Sequence, residues 1–149
     1  MKHPDIQIHR KLANQLLHLA QISPNEEICG LISSQDGRIK RCYPIKNSAE
    51  QPQHFFLLET KEQITAMTKM RDQGEALFAI YHSHPTAPAQ PSSYDLALSS
   101  YPEVLHFIIS LNTKGILEMR CFKINGNKAY EIPLVMGDDL TIFNSVNNA

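Results

Sequence analysis

The stretch from Ala76 to Asp95, ALFAIYHSHPTAPAQPSSYD, constrains the fold of this chain more than any other. An apolar, β-rich run ends in two histidines one residue apart. Three prolines within seven residues, Pro85, Pro88 and Pro91, then fix most of the backbone angles of a turn, so little entropy is lost in holding it. On a strand, side chains two apart share a face. His82 and His84 are therefore expected to point the same way, with Phe78 and Ile80 beside them, while Ser83 points to the other side. A helix starting near Ser92 places Ser92 and Asp95 on one face, and a rigid return can bring that face back to the imidazoles.

Two neutral imidazoles and one carboxylate are the three protein ligands of a catalytic zinc, with the fourth position left for water. The same Ser-x-x-Asp spacing also has the form of a helix capping box, in which Ser92 only caps. A hydrolytic metal needs a base for its water. Glu27, in Pro24-Asn25-Glu26-Glu27-Ile28-Cys29-Gly30-Leu31, stands at the start of an apolar strand and is one choice. Glu26 is the other, and the pattern alone does not separate them; both also read as solvated turn residues.

The rest of the chain predicts a sheet built mostly from hairpins. Ile6 to Ile8 reads as a short strand. Leu12, Leu16, Leu19 and Ala20 recur at helical spacing until Ser23-Pro24. Ile28 to Ser33 and Arg38 to Pro44 flank an Asp36-Gly37 turn, and Lys128 to Ile132 pairs with Leu117 to Ile124 across Asn125-Gly126-Asn127. His54 to Leu58 reads as a further strand. Thr60-Lys61-Glu62-Gln63 has the form of a capping box opening a helix that Gly74 ends, with Met67 and Met70 directed to the core. Ala76 to His84 is the central strand, Ser92 to Ser99 a short helix, and Leu105 to Leu111 another strand. The expectation is a mixed, largely antiparallel sheet flanked by helices, an α/β (α+β) sandwich in one domain over residues 1–135, with an unassigned tail over 136–149.

Length and composition agree with this. The chain has 149 residues, enough for one core. Fourteen Lys and Arg against 15 Asp and Glu give a formal charge of -1, which argues against a nucleic-acid binder working through a strong basic field. No apolar run approaches the roughly 20 residues that cross a bilayer, and the N-terminus lacks a secretory signal, so no membrane contact and a cytoplasmic location are expected. Cys29, Cys42 and Cys121 form no Cys-x-x-Cys pair and read as small buried strand residues. His3, His9, His18, His54 and His106 read as surface or satisfied histidines.

Glu27-x-Cys29-Gly30, then His82-x-His84, seven residues (Pro85 to Pro91), and Ser92-x-x-Asp95 together resemble the signature of the JAMM (MPN+, Mov34/PAD-1) metallopeptidases. The resemblance implies an MPN-like sandwich around a curved sheet, one Zn2+ per chain held by His82, His84 and Asp95, and Glu27 as general base and then acid. It selects Glu27 over Glu26, because the family glutamate stands two residues before the cysteine of Cys-Gly. Ser92 is implied as hydrogen-bond donor to the oxyanion. The implied reaction is hydrolysis of a peptide or isopeptide bond after the C-terminal glycine of a ubiquitin-like protein. The short chain is most similar to compact prokaryotic members, whose partners are ubiquitin-like sulfur carriers and some of which release an amino acid such as cysteine or a short extension. Two alternatives are a non-catalytic MPN-type scaffold and a RadC-like domain, which carries a similar histidine and Ser-x-x-Asp run; oligomeric state is not legible.

Overall fold

The computed structural model describes residues 5–97, 103–112 and 118–137. The chain opens with β1 (Ile6–His9) and α1 (Arg10–Gln21). The His9 side chain caps α1 by accepting the Leu12 N–H at 3.1 Å; of the predicted stripe Leu12, Leu16 and Ala20 are buried, with Ala13 beside them, while Leu19 is half-buried. The hairpin of β2 (Cys29–Gln35) and β3 (Arg38–Ile45) follows. Its turn holds Asp36 at φ 54° and Gly37 at φ 78°, the paired left-handed conformations that a two-residue turn between twisted strands requires. After α2 (Thr60–Asp72) come β4 (Ala76–His84), α3 (Ser93–Ala97), β5 (Leu105–Ser110), β6 (Glu118–Asn125), β7 (Lys128–Ile132) and β8 (Leu134–Gly137).

Six strands form one sheet in the order β3-β2-β4-β5-β6-β7, so the histidine strand lies inside it. Only the β4–β5 neighbours run parallel; the others are antiparallel. β1 and β8 form a separate parallel pair, in which Met136 and Gly137 take part. One sheet face carries Ile32, Ala79, Tyr81, Phe107, Ile109 and Cys121 and packs against the apolar stripe of α1. The opposite face carries Leu31 with Ala66 and Met70 of α2. Helices on both faces of a mostly antiparallel sheet complete the sandwich. The three cysteines are buried and free, one each in β2, β3 and β6.

Four expectations are corrected. His54 to Leu58 is not a strand; Leu58 makes only an isolated bridge to Asn47, because the Asn47 side chain takes the Leu57 N–H and the Phe55 carbonyl that a ladder would use. The α2 cap is Glu59, not Thr60: its carboxylate accepts the Glu62 N–H at 2.7 Å, where a negative charge also suits the positive helix end. Met70 is core, but Met67 is 42% exposed, because α2 meets the sheet through Ala66 and Met70. Phe78 does not share the histidine face. A register shift between β2 and β4 pairs Ser33 with Leu77 and Ile32 with Ala79, leaving Phe78 as the extra residue. Such a bulge flips the alternation, and Phe78 packs edge-on to Phe107 on the α1 side while Ile80 stays on the other.

Candidate metal centre

The end of β4 delivers His82 and His84 to one face as the alternation requires. Their Nε2 atoms are 3.0 Å apart. Asp95, in the first turn of α3, brings Oδ2 to 3.1 Å from the first and 3.2 Å from the second. All three residues are buried. The proline turn between them is also anchored: Ser110 Oγ donates to the Ala87 carbonyl at 2.8 Å, and Ala89 packs on Ile108 and Phe122.

His84 Nδ1 lies 2.8 Å from the Pro88 carbonyl. A carbonyl only accepts, so Nδ1 carries the proton, and in the neutral ring Nε2 then presents a lone pair. Two imidazole nitrogens and a carboxylate oxygen thus converge within 3.2 Å. Protons shared with Asp95 Oδ2 can hold such a trio together, and a divalent cation in their place would draw on the same three atoms. A tetrahedral ion with ligand bonds of 2.0–2.2 Å has ligand–ligand edges of about 3.3–3.6 Å, close to what this trio offers. Glu27, His82 and His84 also place one ligand atom each within 4.8 Å of one another. The residues present fit a divalent metal.

Glu27, rather than Glu26, faces this centre. Glu26 is exposed, whereas Glu27 is buried. Main-chain bonds place it: its N–H donates to the Pro52 carbonyl at 2.7 Å, and Asn47 Nδ2 donates to its carbonyl at 2.9 Å. Next to it, Ser83, which does point to the far side of the strand, accepts the Ile28 N–H at 2.9 Å and ties the lead into β2 to β4. Gly30 is required there, because a Cβ would meet the Tyr81 hydroxyl at 2.4 Å and the Tyr43 carbonyl at 2.5 Å.

Burial pushes the Glu27 carboxyl up to about 8, against the pull of His84 and with the Asp95 charge adding to the rise; one carboxylate oxygen has no hydrogen-bond partner. Burial drives His82 down, toward the neutral ring. His84 is also desolvated, yet its bonds to Asp95 and the Pro88 carbonyl raise it. Asp95 resists its own desolvation: the two histidines and the Ser92 N–H hold it well below the usual carboxylate range.

Ser92 is exposed. Its Oγ accepts the Asp95 N–H at 3.1 Å, and its own N–H donates to Asp95 Oδ2 at 2.9 Å. The capping reading therefore holds in full, and it orients the carboxylate. The hydroxyl proton stays free of this pair and can be donated outward.

Sequence reasoning missed three neighbours. Phe56 stacks on His82, with ring centroids 4.3 Å apart and planes 18° from parallel. Asn47 clamps Glu27 as described, and no motif marks it. His106, expected at the surface or satisfied, is buried one strand away, and that burial pulls it down to about 4, with the His82 charge adding to the effect. His3 lies outside the described residues.

The family model described as prokaryotic homologs of the JAB domain matches residues 9–124. A CysO-cysteine peptidase from Mycobacterium tuberculosis is 29% identical over 129 residues, covering 85% of this chain and 88% of that protein. A protein from Desulfitobacterium hafniense, solved in solution, superposes at a TM-score of 0.81 with 30% identity, over 90% of this chain and 94% of that one. A structure described as JAMM, a metalloprotease-like zinc site in the proteasome and signalosome, shares the fold at a TM-score of 0.55 and 20% identity, over 89% and 99% of the two chains.

Proposed function

This chain belongs to the family of prokaryotic homologs of the JAB domain, and we propose on that footing that it is a zinc metallopeptidase of the JAMM type. Its substrate in this reading is a ubiquitin-like sulfur-carrier protein bearing an amino acid such as cysteine, or a short extension, after its C-terminal glycine. The observation that carries the reading is the convergence of two imidazole nitrogens and a carboxylate oxygen at 3.0–3.2 Å beside a second buried carboxylate. The similarity to a CysO-cysteine peptidase supports the substrate class, and the balanced charge gives no reason to invoke nucleic acid.

His82, His84 and Asp95 would hold the zinc. When bound, the ion acidifies water to a pKa near 7 and polarises the scissile carbonyl. Glu27 accepts the proton of the attacking water and passes it to the leaving amine. Its desolvated site suits both halves, because a base poised near the working pH takes and releases a proton with little penalty. Ser92 Oγ–H donates to the oxygen of the tetrahedral intermediate, while its lone pair keeps Asp95 in place. A thin glycine tail can reach this centre in extended form, gaining main-chain hydrogen bonds along a strand. The catalytic unit is taken as residues 1–135, acting in the cytoplasm.

The test couples zinc quantification of the purified chain to turnover of a carrier–cysteine adduct. Stoichiometric zinc with release of free cysteine is expected. A zinc-loaded protein that turns over no ubiquitin-like substrate would remove the proposal.

A further inference from the structure

The two histidines are held by different means. His84 has its ring plane set by the 2.8 Å bond from Nδ1 to the Pro88 carbonyl. Metal-binding histidines ordinarily rely on such a partner, which fixes both tautomer and orientation. His82 has none among the described residues: its Nδ1 is buried and without a hydrogen-bond partner. What it has is the face of Phe56, 4.3 Å away and within 18° of parallel.

Phe56 is itself 9% exposed and sits on a strap that cannot drift. Asn47 Nδ2 donates to the Phe55 carbonyl and to the Glu27 carbonyl, each at 2.9 Å. Asn47 Oδ1 accepts the Leu57 N–H at 3.0 Å. The Pro52 carbonyl takes the Glu27 N–H, and Phe55 packs on Tyr94 of α3 at 4.4 Å between ring centroids. The residues on either side of Phe56 are thus tied to the segment carrying Glu27 and to the helix carrying Asp95.

We propose that Phe56 is a positioning residue for His82, its ring face fixing the imidazole plane that no hydrogen bond at Nδ1 fixes. The proposal rests on the metal reading above but concerns a residue outside the proposed ligand set. A planar ring at position 56 is what the role requires; apolar volume alone does not supply it.

The experiment uses the full chain, with zinc removed and restored, and compares Phe56→Leu with Phe56→Tyr. Zinc affinity is read by competition with a chromophoric chelator, ligand geometry by the visible spectrum of the cobalt(II)-substituted protein, and fold stability by melting the metal-free form. Phe56→Leu is expected to weaken zinc binding about tenfold or more, to alter the cobalt spectrum and to lower kcat at unchanged KM. Phe56→Tyr should stay within about twofold of the parent, by the same reasoning. If the leucine variant does not fold, Phe56→Met, also lacking a planar face, carries the comparison. Aliphatic variants with the parent's zinc affinity and cobalt spectrum overturn the proposal. So does a tyrosine variant as weakened as the leucine one, with an equal drop in metal-free melting temperature, since Phe56 would then be packing only. A parent chain that binds no zinc removes the metal reading as well, whereas zinc binding indifferent to residue 56 removes only this inference.

Discussion

Glu27→Gln, in the metal-free protein, should raise stability in a pH-dependent way. Glu27 is 5% exposed, with one oxygen lacking a partner, and burial lifts its carboxyl from 4.5 to about 8. A carboxyl raised on folding favours the folded state while protonated. Stability is therefore greatest below the unfolded value and is lost as pH rises from about 4.5 toward 8. At about 1.36 kcal/mol per pKa unit, the ionisation penalty reaches about 1 kcal/mol at pH 5, about 3 kcal/mol at pH 7 and about 5 kcal/mol well above pH 8. Glutamine has nearly the same shape and no charge, so it escapes this penalty and leaves only a pH-independent offset. Urea unfolding of both chelated proteins at pH 5 and pH 7 should show their difference widening by about 2 kcal/mol. Glu27 is coupled to His84 and Asp95, so the widening reads the ionisation of the coupled group and not of Glu27 alone. A difference that stays constant between the two pH values would show that Glu27 is not desolvated as the structure has it. The same variant should keep zinc and lose activity by about 10²–10⁴-fold, so the group that weakens the metal-free fold is the one the chemistry uses.

Ser92→Ala should lower kcat by about 10²-fold or more with a smaller effect on KM, and should destabilise α3 by about 1 kcal/mol through loss of the cap; a variant with full kcat would leave Ser92 as a cap alone. Gly30→Ala must push aside the buried Tyr81 ring or the Tyr43 backbone. Urea unfolding should then show a loss of about 1–3 kcal/mol or more, and an unchanged midpoint would mean that the contact relaxes freely. His82→Ala should abolish zinc binding and hydrolysis together, and equilibrium dialysis that recovers a zinc-loaded, active variant would contradict its role as a ligand.

Local rules carried much of the architecture. The stripe of α1, the Asp36-Gly37 hairpin and the β6–β7 hairpin with Gly126 at φ 65° follow from side-chain period and turn chemistry, which act over a few residues. The shared face of His82 and His84 is of the same kind, and the prolines after them explain why the chain returns to meet them. Glu27 became legible only through its place in a longer motif.

What tertiary structure decided lies where two distant segments meet. The bulge that turns Phe78 away depends on how β2 pairs with β4, and a strand's own sequence holds no record of its partner's register. The exposed side of α2 was settled by which helix face met Leu31, not by its apolar spacing. Phe56 and Asn47 belong to no pattern within their own segment. Their roles come from Asn47 bonding to the Glu27 carbonyl and the Phe56 ring meeting His82, 26 residues further along the chain. Short-range order follows from the backbone's few torsional choices, whereas contacts between remote segments exist only once packing has brought them together.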